Sequence, residues 1–514
     1  MSIKISIGWA FVSLLLLFSC GKIKKIPDDT VVVLVEAEIG EIDPRFAVSA
    51  YGVKISRLIF SSLISFDSKN SSPVNDIAER VERTDGRTWA IYLKKNYRFA
   101  DGVEITSETI EKTINLYRKK TGKISPYGQK WDDVARIKKI GKYVLEIILK
   151  KPRPSFVTDL DLPVLPVHDI NKGLGKTSMY GSGPFYLESK KTNQVVLIRN
   201  PYYYNGVPRV KKIIIKSILE ENVRALMMIS GYADISQNNI SPLIIKGLKE
   251  KSVNITYSPG ITMTYIGYQL SNKYLSNSRV RKALSMAIDR KGLIKNRFNE
   301  HAKIADSVMP PHNSVHCSGN IIDYDPEKAA QILDSEGFKK NSGGWRFEIE
   351  YKTSSNPFRL AIAKVIARQW AKIGVKVRLR SLEWGVFYHD VRARQFDVIT
   401  LQLPEIISPF IMKEFFHSKN IPENASSPGY NRWGFSNSEF DQISESAFNS
   451  TSEEKRLKFF CSMQNIIRDQ LPVFPLWYED NTAVTSKRIK NYTLYPNARF
   501  SSLSRVEFSE KRLK

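Results

Sequence analysis

The chain has 514 residues, 42% of them hydrophobic and 11% aromatic, and 78 Lys plus Arg against 52 Asp plus Glu give it a formal charge of +26. Apolar residues along the whole length exclude a disordered or low-complexity chain, and the length suggests about three domain-sized units of roughly 150 residues each. The positive charge is dispersed, since stretches 251–300 and 351–400 are basic, 301–350 and 401–450 are net acidic and no basic run exceeds three residues, so it reads as solvated surface without a nucleic-acid partner.

Lys4 precedes an apolar stretch of fourteen residues, 5–18. That length fits the roughly 7–15 residues of a secretory core and falls short of the roughly 20 that cross a bilayer. Residues 1–19 are therefore expected to be a signal peptide. Leu17, Ser19 and Cys20 match the bacterial lipobox, in which a small residue stands directly before a lipid-acceptor cysteine. Cys20 is then the anchor of a protein held at the periplasmic face of a bacterial envelope membrane. Cys317 and Cys461 remain, a pair that an exported protein can join, and the sequence leaves their pairing open.

Residues 31–35 form an apolar β-branched run that predicts a buried strand, broken by 40–44. Helical spacing follows, with Leu58, Ile59, Leu63 and Ile64 on one face, before a polar linker at 68–72. Strands are predicted at 88–93 and 144–149 with a helix at 107–117 between them, which makes an α+β insertion. Further strands fall at 210–219 and 262–270. A helix is predicted over 279–297, capped by Asn277 or Ser278, and another opens at Asp325 with Pro326 in its first turn and Gly337 as its stop. A helix from Phe358 ends at Gly374 and feeds a strand at 375–379, an α/β unit. Helices at 440–448 and 453–470 and an extended stretch at 473–478 complete the pattern.

Catalytic patterns are missing. Residues 172–177 resemble the end of a phosphate-cradling loop, but the position that must hold its first glycine is Ile170. No GxSxG, HExxH or GxGxxG is present, and no nucleophile, base and orienter can be assembled, so no enzyme and no cofactor is expected. His312, His316 and Cys317 offer metal-ligand chemistry in one region, although Pro310, Pro311 and Gly319 place them in a loop where the donors need not converge.

Ordered short segments carry a resemblance. They are Ile42-Asp43-Pro44, Phe60-Ser61-Ser62-Leu63, Thr84-Asp85-Gly86-Arg87-Thr88-Trp89, Phe99-Ala100-Asp101-Gly102, Gly181-Ser182-Gly183-Pro184-Phe185, Arg199-Asn200-Pro201-Tyr202-Tyr203, Ala233-Asp234-Ile235, Arg279-Val280-Arg281-Lys282-Ala283-Leu284, Ala287-Ile288-Asp289-Arg290 and Tyr324-Asp325-Pro326-Glu327-Lys328-Ala329. In this order and spacing the chain resembles the solute-binding proteins of ABC importers, in the oligopeptide- and dipeptide-binding family 5. The resemblance covers nearly the whole mature chain and agrees with the lipobox.

The resemblance implies an α/β, two-lobed periplasmic-binding-protein type II fold of cluster C with an extra inserted α+β subdomain. Lobe I is expected to be discontinuous, 21–60 with 167–272 and 476–514, the inserted subdomain to span 61–166, and lobe II to span 273–475. It also implies a peptide ligand, an ABC permease with its ATPase subunits as partner, and a monomer. Peptide capture resembles strand addition in a cleft between the lobes. The implied ligand-binding positions are Val48, Ser49, Ala50, Tyr265, Gln269, Trp384, Thr400, Leu403 and Glu405. In peptide-binding relatives the segment matching 401–410 carries an Asp that holds the ligand's ammonium, whereas here it contains no Asp and Glu405 is its only acid. Either Glu405 replaces that carboxylate or the ligand has no free amine there, as in a cell-wall-derived peptide. A metal or nickel-type metal complex on the same fold is the alternative ligand.

Overall fold

The computed structural model describes residues 26–67, 72–119, 122, 124–167, 179–248, 252–427, 429–450 and 452–509. The expected signal peptide 1–19, the Cys20 anchor, most of the linker at 68–72 and the glycine-lysine loop 172–177 lie outside the described residues.

Lobe I is built on the strand Thr30–Val35, flanked in parallel by Lys212–Ser217 and Ile235–Gln237. All six residues of Thr30–Val35 are buried because both faces of its sheet are covered. Val31, Val33 and Val35 face the core shared with the helix Ala50–Ile59 and the inserted subdomain, whereas Val32 and Leu34 face Ala225, Met228 and Ile245. The expected insertion is present as the four-stranded antiparallel sheet of Ala78–Arg83, Thr88–Leu93, Val144–Leu149 and Val134–Gly141, with the helix Ser107–Tyr117. The helical spacing predicted through Ile64 stops at Ile59, and Ile64 instead begins a short strand, Ile64–Phe66.

Lobe II repeats the construction. Phe347–Ser354 runs parallel to both Val375–Leu382 and Val398–Leu403, with helices on both faces. The helix Pro357–Lys372 starts where Asn356 accepts hydrogen bonds from the Phe358 and Arg359 amides, and it stops before Gly374 at φ 80°. The single helix expected over 279–297 is two, Ser278–Met286 and Arg290–Phe298. The break is local, because Asp289 accepts from the Gly292 amide at 2.8 Å and starts a new helix. Cys317 and Cys461 form a disulfide that ties the loop after Ala302–Ile304 to the helix Glu453–Gln470.

Two long antiparallel strands, Val253–Tyr268 and Val473–Ser486, run through both lobes. Ile235–Gln237 pairs with Val473–Ser486 at residues 483–485, and Val398–Leu403 pairs with Val253–Tyr268 at residues 263–268. Between these attachments the register breaks at Ser258 to Thr262. A β-bulge bends and twists a ladder, and this break lies at the joint where the two strands pass from the lobe I attachments to the lobe II attachments. Gly260 sits in it, and a Cβ there would lie 2.1 Å from the Glu479 carbonyl oxygen.

Candidate interlobe binding site

The parallel strands of the two lobes, joined into one mixed sheet by the two long strands, end towards one another. In lobe I, Thr30–Val35 is followed by Glu36, and in lobe II the three parallel strands are followed by Ser355, Glu383 and Pro404. Carboxyl ends of parallel strands are where open α/β sheets hold ligands, since connecting loops there leave a crevice edged with backbone and helix starts.

A cavity of about 240 Å³ lies in this crevice, walled by Arg57, Tyr127 and Asp161 from lobe I and its insertion, by Glu405, Phe410 and Glu414 from lobe II, and by Arg499 from the carboxyl-terminal tail. A side chamber of about 130 Å³ adjoins it and shares Arg57, Phe66 and Arg499 with it. Lys54 and Arg57 reach these spaces from the helix Ala50–Ile59, whose apolar side buries Ile55, Leu58 and Ile59.

Charge is concentrated at the junction. Arg57 donates to both oxygens of Asp161 at 2.7 Å each. Arg499 Nη2 lies 3.4 Å from Glu405 Oε2 and 3.9 Å from Asp161 Oδ2. Lys54 lies over the rings of Tyr51 and Phe500, and burial holds its ammonium below the usual lysine value. Burial also pushes the Arg499 guanidinium down, helped by the neighbouring Arg57, and pushes the Glu414 and Glu36 carboxyls up.

The lobe II wall is ordered by a second chain of polar contacts. Glu479 Oε1 accepts from Thr264 at 2.6 Å and Gln402 at 2.8 Å, and Gln402 Oε1 accepts from Arg359 at 2.9 Å. Arg359 lies 5.4 Å over the ring of Trp384. The joint between the lobes is thereby connected to the cleft rim.

The residues named from the resemblance divide by position. Val48 is exposed, Trp384 stands on the rim with 45% of its surface exposed, and Glu405 lines the cavity at φ 48°, which turns the backbone sharply after Pro404. Ala50 is exposed, but Ser49 caps the helix, accepting from the Gly52 amide and donating to the Ile39 carbonyl. Tyr265 is buried edge-on against Trp433, Gln269 donates to the Arg394 and Arg432 carbonyls inside lobe II, Thr400 pairs with the Tyr351 hydroxyl, and Leu403 packs on the lobe II core. Lys54, Arg57, Asp161, Arg359 and Arg499 carry no expectation from the sequence. The only local signal was Lys54 and Arg57 three positions apart on one helix face.

The loop considered for metal binding does not gather its donors. Cys317 is spent in the disulfide, His316 Nδ1 faces the Met309 carbonyl at 2.7 Å and His312 is exposed. Among the described residues no group of three or more His, Cys, Asp or Glu is placed to hold a metal ion, and no helix is long and apolar enough to cross a membrane.

Residues 72–417 match the family model for bacterial extracellular solute-binding proteins, family 5 middle. The glutathione-binding protein of Salmonella typhimurium is 23% identical over 492 residues, covering 92% of this chain and 93% of that protein. NikZ from Campylobacter jejuni, solved in complex with Ni(L-His), superposes with a TM-score of 0.81 at 23% identity over 94% of this chain and 100% of its own. The oligopeptide-binding protein AppA from Bacillus subtilis, solved with a nonapeptide, gives 0.79 at 21% identity over 95% and 100%. The two-lobed type II fold is common to all of these solved structures and this chain.

Proposed function

The chain belongs to the bacterial extracellular solute-binding proteins of family 5, and from that premise we propose that it captures short peptides in its interlobe cavity and delivers them to an ABC permease. The observation that carries this reading is the cavity itself. It lies between two lobes joined by a two-stranded ladder with a break in register, the arrangement that lets lobes close around a solute. Its volume of about 240 Å³ is below the roughly 300–1,000 Å³ of drug-sized ligand sites, which favours a di- or tripeptide over a long one. Charged and hydroxyl groups at the walls suit a polar solute read through its backbone and one charged end.

The amino-terminal pattern supports a lipid-anchored form in the bacterial envelope, acylated at Cys20, and the family reading adds a monomer working beside its permease. Labelling with a fatty acid that Cys20→Ser abolishes tests the anchor. ATP hydrolysis falls to the permease's own ATPase subunits, and binding here makes and breaks no covalent bond.

A metal complex is the second reading, favoured by the likeness to a protein solved with Ni(L-His). The metal would then arrive with its own chelator, because the described residues offer no cluster of three donors. Native mass spectrometry of the protein as purified separates the two. A co-purifying series of peptide masses supports peptide capture, and a single mass shift removed by a chelating agent overturns it.

A further inference from the structure

We propose that the side chamber where Lys54, Arg57 and Arg499 meet is a carboxylate subsite, taking either the terminal carboxylate or an acidic side chain of the captured solute. This rests on the peptide reading and adds which end of the peptide is read, and by which residues.

Unmet hydrogen-bonding capacity is the first support. Arg499 retains 9% of its side-chain exposure, its Nε has no partner, and its contact with Glu405 is a single one at 3.4 Å. The Nε of Arg57 is also buried without a partner. Lys54 has no carboxylate within 4.0 Å among the described residues; its ammonium lies over two rings, and Glu405 and Glu36 act on it from beyond ion-pair distance. A buried charged donor without an acceptor is unfavourable, so an acceptor brought within reach of these guanidinium and ammonium groups is favoured.

Pairing and lining choose the class of acceptor. Arg57 pairs with Asp161 and Arg499 with Glu405, whereas Lys54 has no carboxylate at ion-pair distance among the described residues. Asp76 also lines the chamber and Glu36 acts on Lys54 from further off, so the walls carry no large positive surplus and suit a monoanionic carboxylate better than a dianionic phosphate. The wall opposite presents Ser62, Ser65 and Ser501, whose hydroxyls have no partner among the described residues and can donate to the several lone pairs of a carboxylate. Asp76, the acid on that wall, is already engaged by the Tyr97 hydroxyl at 2.7 Å. At about 130 Å³ the chamber holds a carboxylate with a few methylenes, the remainder of the solute extending into the larger cavity with which it shares Arg57 and Arg499.

The test is calorimetric titration of the mature chain with Ala-Ala, Ala-Ala amide, N-acetyl-Ala-Ala and Ala-Glu amide. Ala-Ala and its acetyl form are expected to bind alike and the amide roughly tenfold to hundredfold more weakly. Recovery with Ala-Glu amide identifies an acidic side chain as a second source. Arg499→Gln is expected to level free acid and amide, and Lys54→Met, which removes no hydrogen bond, repeats the test if Arg499→Gln does not fold. Amide binding as tight as free acid overturns the subsite while leaving peptide capture standing. If no dipeptide binds in any form, peptide capture fails, and sodium acetate decides the subsite. A rise in melting temperature that Arg499→Gln removes keeps it, and no rise discards it.

Discussion

Glu405 on lobe II and Arg499 in the carboxyl-terminal tail meet across the cleft, Oε2 to Nη2 at 3.4 Å, so the one acid of segment 401–410 lines the cavity already paired with a cation of the opposite lobe. The pair is partly buried, with side-chain exposures of 26% and 9%, and it is a direct ionic contact between the lobes.

Glu405→Gln should therefore loosen the ligand-free protein. A cross-cleft contact of this length contributes about 1 kcal/mol. Urea unfolding should register that loss, and small-angle scattering should show a larger radius of gyration. An unchanged scattering profile would sink the latch.

Because Glu405 is engaged by Arg499, it is a poor seat for a ligand ammonium. Free and amino-acetylated tripeptides are expected to bind with equal affinity. Acetylation that weakens wild-type binding but not that of Glu405→Gln would restore the ammonium role.

Gly260→Ala places a Cβ 2.1 Å from the Glu479 carbonyl at the break in the ladder. The backbone must move there, at a cost of about 1–3 kcal/mol. Chemical denaturation measures this cost, and stopped-flow fluorescence during binding should show altered closure. Wild-type values in both would remove this position from the joint.

The Cys317–Cys461 disulfide closes a loop with a sequence separation of 144. Loss of such a cross-link is expected to destabilise by about 2–5 kcal/mol. Cys461→Ser should lower the melting temperature, and dithiothreitol should bring the wild type down to the variant without affecting the variant itself.

Glu414 lines the cavity, and burial raises its carboxyl above the ordinary 4.5. As pH rises through 4.5 the unfolded chain gives up this proton first while the folded chain retains it, so folding is penalised between 4.5 and the raised value and the penalty is constant above it. Glu414→Gln should be more stable than wild type at pH 7, with the advantage gone below pH 4.5. Urea midpoints across that range check the sign, and an advantage that grew on acidification would reverse it.

Local chemistry was legible wherever a residue's role is satisfied by its neighbours in sequence. Asp325 caps the helix Pro326–Ser335 through the Lys328 amide at 2.8 Å, and the helix Glu453–Gln470 has the bounds its pattern predicts. The two long strands were read short, as 262–270 and 473–478, because Pro259, Gly260 and Asn481 interrupt the alternation and only mutual pairing carries the strands past them. Several segments that carried the resemblance are architectural. Asn200 donates to the Gly183 carbonyl at 2.9 Å, joining two of them, and buried Asp234 receives the Val32 amide and a two-point contact from Arg488.

Composition, export pattern and ordered segments were enough to place the chain in its family and to turn +26 from a nucleic-acid signal into a dispersed surface property. Tertiary structure alone decided the joining of Cys317 to Cys461 and the meeting of positions 54, 57, 161, 405 and 499 at one junction. Periodicity and capping record interactions within a few residues, and so they survive in the linear sequence. The balance of charge in a cleft depends on how two lobes and a returning tail are held against each other, and that is set by packing between segments hundreds of positions apart.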